Sequence, residues 1–283
     1  FPPRAHAIRF PAEVGINVAY YMETMTVKEF REAMQRTSTA VIPVGLMEQH
    51  GYHLPLNTDV LFVTEPLARI ADRIRCVIAP VLAYCFSGGE LPGTINVNPS
   101  LYSQLVCDIA RSLFQTGFRN LVVLIAHAGS ENIQALRTEM TNFLRLNPHL
   151  GDRGFFLVMP HSFISPETLA EVPSEGDEKD WHAAMAETSL VLHWRPDLVR
   201  MRELALDEEP YASGMRRDPD WYAEQKKAVD TPFTIPWIRQ RPGIRVGVMG
   251  FPAKASAAFG ERLSREMEEG MLAFFEKIVP PLR

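Results

Sequence analysis

The segment Glu48-Gln49-His50-Gly51-Tyr52-His53-Leu54-Pro55-Leu56-Asn57-Thr58-Asp59 gathers two histidines and two carboxylates, side chains that bind divalent metal ions or move protons. In an extended stretch Glu48 and His50, two apart, project to the same side. Asp59 stands where the chain enters a helix, so three metal-competent side chains can converge. The competing reading is a solvated loop closed by a Thr58-Asp59 helix cap. His127 ends the apolar run NLVVLIA and is followed by Ala128, Gly129, Ser130 and Glu131. A histidine after a strand is more often a hydrogen-bonded core residue than a ligand. Here, however, two strands deliver polar groups at one edge, which is where open parallel sheets bind ligands. In Trp181-His182-Ala183-Ala184-Met185-Ala186-Glu187-Thr188-Ser189, Glu187 interrupts an apolar helical stretch. Unless it lies on an exposed face, its carboxylate must be paired, protonated or metal-bound. Glu48, Asp59 and Glu187 carry three negative charges and neutral His50 and His127 none, a sum that two divalent cations and one hydroxide balance. Without cations, converging carboxylates in a poorly solvated cleft repel one another and their pKa values rise. Mixed nitrogen and oxygen donors suit Zn or Mn and disfavour a thiolate-type site.

The elements that must position these groups follow from spacing. Thr26 and Glu29 form a capping-box pair that opens a helix of about ten residues. Residues 40–46 read as a buried strand, about 60–75 as a helix, and CVIAPVLAY at 76–84 as a strand. Asn98 and Pro99 open a helix that ends at Gly117. NLVVLIA at 120–126 is the clearest buried strand, followed by a helix over 131–146 and a strand at 155–160. Helices over about 183–194 and 257–278 complete the order. Strands apolar on both faces, alternating with helices, predict an α/β fold: a three-layer α/β/α sandwich with a mostly parallel central sheet, one domain over 1–283. Residues 203–242 break the rhythm with five prolines and the aromatics Tyr211, Trp221, Tyr222, Phe233 and Trp237. They read as an excursion from the same domain, serving as a lid or a subunit contact.

Composition narrows the function classes. With 46% apolar and 22% charged residues in 283, the chain falls among globular proteins and outside disordered or disulfide-scaffold classes. Lys and Arg number 29 against 34 acidic residues, a net charge of −5, and no basic run occurs; this excludes a nucleic-acid partner. The longest apolar run, Leu121 to Ala126, is far short of the roughly 20 residues that span a bilayer, so no membrane segment is expected. Cys76, Cys85 and Cys107 lack CxxC spacing, and FPPRAHAIRF at the start lacks a signal peptide's apolar stretch; both point to the cytoplasm. Neither GxGxxG nor GxxxxGK[ST] is present, and neither Ser130 nor Ser189 sits in a GxSxG elbow, which disfavours nucleotide-dependent chemistry and a serine hydrolase.

EQHGYHLPLNTD at 48–59, LPGTINV at 91–97, AHAGSEN at 126–132, HAAMAETS at 182–189 and GVMGFPAKAS at 247–256 together resemble the creatininase family of creatinine amidohydrolases and their relatives. The resemblance implies a three-layer α/β/α domain, a two-metal centre and hydrolysis of C–N bonds in small amides by a homo-oligomer, a hexamer in the family pattern. It places the metal ligands on Glu48, His50, Asp59, His127 and Glu187, with Asp59 as the bridge, and the catalytic histidine on His182. The implied reaction is attack on a carbonyl carbon by a hydroxide shared between two Zn or Mn ions, with His182 protonating the departing nitrogen near its ordinary pKa. Tyr52, His53, Glu90, Ser130 and Trp181 are the candidates for substrate contacts or for support of the metal ligands. Many members read HGGN where this chain has His127-Ala128-Gly129-Ser130, and the family's Ser-x-Glu-His before PGT is here Ser87-Gly88-Gly89-Glu90. Creatininase itself has an acidic residue in place of Gly129 and a glutamate in place of Trp181, so the departures fall on the substrate side and point away from creatinine. The same centre on a formamide, a peptide end or a lactone is the alternative within enzymes, because related scaffolds host different reactions. A small-molecule binding protein with a degenerate site is the alternative outside them.

Overall fold

Both faces of the central strands are apolar, and each face feeds its own core. A computed structural model describes residues 20–279, leaving the N-terminal segment read for a signal peptide outside the described residues. Five strands form one parallel sheet: β1 (Tyr20–Tyr21), β2 (Thr39–Val44), β3 (Val77–Ile78), β4 (Asn120–Ile125) and β5 (Gly154–Val158), in the spatial order β1-β3-β2-β4-β5. The helices are α1 (Val27–Met34), α2 (Thr58–Ile70), α3 (Pro99–Thr116), α4 (Ser130–Leu146), α5 (Pro166–Leu169), α6 (Met185–Trp194), α7 (Tyr211–Arg217) and α8 (Ala257–Ile278). Because side chains alternate along a strand, Val41, Val122 and Leu124 pack against α2, α6 and α8. Ala40, Ile42, Val44, Leu121, Val123 and Ile125 pack against α3 and α4 on the other side. The three-layer α/β/α sandwich with a parallel sheet follows directly.

Local chemistry sets the element ends. Thr26 and Glu29 close the capping box of α1, which is eight residues long. Asn98 caps α3 by accepting from the Ser100 N–H at 2.9 Å, and Gly117, at φ 124°, ends it. The apolar run 76–84 forms only a two-residue strand. Pro80 has no N–H to give to the ladder, and the chain rejoins β2 beyond it, with the Leu82 N–H donating to the Pro43 carbonyl at 2.9 Å. The helix expected from 183 begins at Met185, because Ala183 takes a positive φ of 53° and Asp180 supplies the cap from a distance. The Asp180 carboxylate accepts from the Met185, Ala186 and Phe251 N–H groups.

Residues 203–242 contain α7 and a small antiparallel hairpin of β6 (Ala223–Lys226) and β7 (Trp237–Gln240). At its base, the buried Asp207 carboxylate accepts from the N–H groups of Arg245, Val246 and Gly247 at 2.5, 3.0 and 2.7 Å. Among the described residues, no helix is long and apolar enough to cross a membrane, and all three cysteines are buried free thiols.

The chain leaves β2 at Gly45 in contact with the first turn of α2. A Cβ there would lie 2.7 Å from Val60 Cα and 2.8 Å from its nitrogen, backbone that cannot yield cheaply. Gly45→Ala is expected to cost about 1–3 kcal/mol, the usual range for overpacking. The corresponding fall in melting temperature is roughly 3–8 °C, readable by calorimetry. An unchanged melting temperature would mean that α2 moves aside freely.

Candidate metal centre

The loop after β2, the loop after β4 and the first turn of α6 meet at the carboxyl edge of the sheet. β2 and β4 pair in register, Val44 beside Ile125, so Glu48 and His127 emerge from neighbouring strands. Asp59 is delivered by the first turn of α2, and Glu187 by that of α6. Glu48, His50, Asp59 and His127 are all buried; Glu187 keeps 22% of its side chain accessible. The competing reading of a solvated loop fails for Glu48, His50 and Asp59, while Tyr52 and Leu56 of the same segment are exposed.

Two triads result. Potential ligand atoms of Glu48, Asp59 and His127 lie within 4.8 Å of one another, as do those of His50, Asp59 and Glu187. His127 Nδ1 is 2.9 Å from Glu48 Oε2 and 3.3 Å from Asp59 Oδ2. His50 Nε2 is 3.7 Å from both Asp59 Oδ1 and Glu187 Oε2. These spacings bracket the roughly 3.3 Å between neighbouring ligands of a tetrahedral ion bound at about 2.0–2.1 Å. His50 Nδ1 lies 3.2 Å from the Glu48 carbonyl, which can only accept, so the hydrogen sits on Nδ1 and Nε2 is left bare. Glu48 Oε2, His50 Nε2 and Asp59 Oδ2 are buried and have no partner beyond these imidazole–carboxylate contacts. Orphaned buried acceptors are costly, about 1–3 kcal/mol each, and three converging on one space are the donor set a cation satisfies. The residues therefore fit a pair of divalent ions.

The expected rise of carboxylate pKa values holds for Glu187 alone, because, against burial, the imidazoles beside Glu48 and Asp59 lower theirs. Burial works to lower the His50 pKa, but hydrogen-bond and charge contacts with Asp59, then Glu187 and Glu48, push it up to about 9. His127 is likewise raised against burial, chiefly by Glu48. Burial pushes Glu187 up to about 7, the upward shift expected of a carboxylate held among others. Asp59 is lowered despite burial, through its contacts with His127 and His50. Without cations, positive charge enters the site as protons on His50 and His127; the bare Nε2 belongs to the neutral His50 that would bind an ion.

His182 stands beside the triads, its ring centroid 4.3 Å from that of His50. Its Nε2 lies 2.8 Å from the Gln49 carbonyl and 3.1 Å from the Gln49 amide nitrogen. These contacts demand opposite roles; the shorter one, to an atom that can only accept, places the hydrogen on Nε2 and leaves Nδ1 to receive a proton. Burial, followed by repulsion from His50, pushes the His182 pKa down to about 4. The expectation of an imidazole near its ordinary pKa is corrected accordingly: His182 is neutral at pH 7.

The remaining sequence candidates stay outside the buried cluster. Tyr52 is exposed and donates to the Arg245 carbonyl at 3.4 Å. Trp181, also exposed, donates to the Arg216 carbonyl at 3.0 Å. Ser130 donates to Asp220, and Glu90 trades hydrogen bonds with Gln240 on β7. His53 is fully buried and bonded through Nε2 to Thr188 Oγ1 at 2.9 Å, which ties the 48–59 loop to α6. Burial pushes its pKa down to about 4. Sequence reasoning passes over Gln49, Asp180 and Ser87. Gln49 lies inside the first motif, and Asp180 is an acid shortly before a helix, a signal that could have identified it. Ser87 stands at the serine of the family's Ser-x-Glu-His segment, the one signal that could have found it.

A profile of the family described as creatininase, creatinine amidohydrolase, matches residues 23–275. Creatinine amidohydrolase of Pseudomonas putida is 32% identical over 183 residues, covering 60% of this chain and 69% of that protein. The mycofactocin precursor peptide peptidase of Mycolicibacterium smegmatis is 29% identical over 273 residues, covering 93% and 90%. A solved creatininase structure with Mn superposes with a TM-score of 0.74 at 24% identity, over 93% of this chain and 100% of that one. A mutant creatininase of Zn–Zn type gives 0.71 at 24%, over 92% and 98%. The profile match spans most of the sequence, from before α1 to near the end of α8, and with it this chain belongs to the creatininase family.

Proposed function

We propose that the protein is a dinuclear metal-dependent hydrolase that cleaves a C–N amide bond in a small molecule, cyclic or linear. The observation that carries this reading is that Asp59 belongs to both triads, each of its oxygens turned toward a different histidine. Glu48, Asp59 and His127 would hold one ion, and His50, Asp59 and Glu187 the other, with Zn or Mn suited to these donors. Bound there, such ions supply Lewis acidity toward a carbonyl oxygen and hydroxide near neutral pH.

The chain's own residues do the rest. His182, neutral and held through Nε2 by Gln49, accepts at Nδ1 a proton from the attacking water and passes it to the departing nitrogen. His53 holds the loop that carries Glu48 and His50 against α6. Tyr52, Trp181, Glu90 and Ser130 are left as the residues available to meet substrate, and the 203–242 excursion reaches two of them through Gln240 and Asp220. That excursion also carries Phe233 and Ile235, 91% and 88% exposed, which suits a contact between copies in a homo-oligomer, a hexamer by family resemblance. Free buried thiols suit the cytoplasm. Cleavage of a peptide end is the second reading, favoured by the length over which the mycobacterial peptidase aligns.

Metal analysis by mass spectrometry on protein purified without added metal tests the reading. About two Zn or Mn per chain are expected, removed by chelator together with hydrolysis of the active members of a panel of cyclic amides, formamides, lactones and short peptides. A folded protein that holds no metal and takes none up would make it a binding protein with a dead site.

A further inference from the structure

We infer that Ser87 is a positioning residue that reserves one oxygen of Glu48 for metal binding; this rests on the dinuclear reading above. Ser87 Oγ accepts from the Gly89 N–H at 3.1 Å and lies 2.5 Å from Glu48 Oε1. A hydroxyl has a single hydrogen, and with the glycine N–H already donating to its oxygen, that hydrogen goes to Oε1. Glu48 Oε2, the other oxygen, is buried, has no partner beyond His127 and belongs to the first triad. The terminal torsion of a glutamate is soft and nearly two-fold, so burial alone does not tell the two oxygens apart. The serine hydroxyl does: it occupies Oε1 and leaves Oε2 as the ligand atom.

Ser87 is itself held from several directions. Its N–H and that of Gly88 both donate to Asn96 Oδ1, at 2.8 and 3.0 Å, and Asn96 Nδ2 donates to the Gly89 carbonyl at 2.7 Å. Tyr222 of the excursion donates to the Ser87 carbonyl at 3.2 Å, over a Gly88 whose φ of +85° and missing side chain make room for the phenol. Next to it, the Phe86 N–H donates to Asn132 Oδ1, and the same amide donates to the His127 carbonyl. One short loop thus registers Glu48 against His127, two ligands that approach the ion from different strands.

The test is a competitive titration of metal-free protein with Zn against a chromophoric chelator, comparing wild type, Ser87→Ala and Ser87→Thr. Alanine takes less space than serine, so the fold is kept. Wild type is expected to bind two ions. Ser87→Ala should weaken one of them about 10–100-fold, the usual cost of removing a group that orients a metal ligand, and leave the other unchanged. Ser87→Thr, which keeps the hydroxyl, should restore the weakened site. Two ions bound by Ser87→Ala with wild-type affinity overturn the inference, and so does equal weakening in both variants, which would assign the effect to loop packing. A wild type that binds no Zn overturns the dinuclear reading instead, and the two failures are told apart by that control.

Discussion

Asp59→Asn should abolish the metal content and the hydrolytic activity together, the largest effect of any single substitution in this protein. Asp59 Oδ1 faces His50 and Oδ2 faces His127, so one carboxylate serves both triads. Asparagine keeps the shape but turns one of those oxygens into an N–H donor and removes a negative charge. Whichever way the amide turns, one triad meets a donor where it needs a lone pair, and both lose charge compensation for a divalent cation. Protein carrying about two ions per chain should fall below one, with activity at the detection limit. The change also removes the ion pairs of Asp59 with His50 and His127, so the loss of metal is read on protein whose fold is checked by circular dichroism. Retention of both ions by a folded Asp59→Asn protein would remove the bridge from the site.

His182→Ala should separate binding from turnover. His182 forms a third group with Glu48 and His50, but neither triad that shares Asp59 includes it, so its removal leaves the ligands of those two triads in place. The metal content should equal that of wild type while kcat falls roughly 10²–10⁴-fold, the range for a lost proton-transfer group. The loss should appear in kcat and kcat/KM alike, since a group that acts only when the C–N bond breaks does not bind the ground state. A variant with full metal and an unaltered rate would leave the proton to another group.

The parts of this protein that are legible from its sequence share one property: they depend on neighbours close along the chain. The helix Ala257–Ile278 is set by the spacing of Leu263, Met267 and Met271 and by the Ser256 cap, all local. Glu48 and His50 can be paired because two residues of separation in an extended stretch fix their common side. The exits of β2 and β4 can be placed together because parallel strands flanked by helices leave little choice of edge. What escapes depends on contacts across long separations. Asp180 caps α6 and also ties in Phe251, so the helix begins later than the apolar pattern suggests. The grip of Ser87 on Glu48 spans 39 residues of sequence. His182 is neutral because the folded chain buries it beside His50, a property that no spacing encodes. His53 shows the same limit: its type suits a substrate contact, and its surroundings make it a brace against Thr188.

Asp207 gives the molecule a modular character. Its carboxylate fastens the start of the excursion to residues 245–247, and the backbone just beyond is locked to Trp181 and His182, with the Met249 N–H donating to the His182 carbonyl and the Trp181 N–H to the Met249 carbonyl. The two feet of the excursion are therefore anchored independently of whatever lies between them. Closing a longer connection between fixed feet costs only slowly more entropy. The stretch between Asp207 and Arg245 can thus change in length wherever its own contacts with the site, Tyr222 with Ser87, Asp220 with Ser130, Arg216 with Trp181 and Gln240 with Glu90, are kept. A scaffold of this kind lets substrate range drift in one segment while the reaction centre is inherited unchanged.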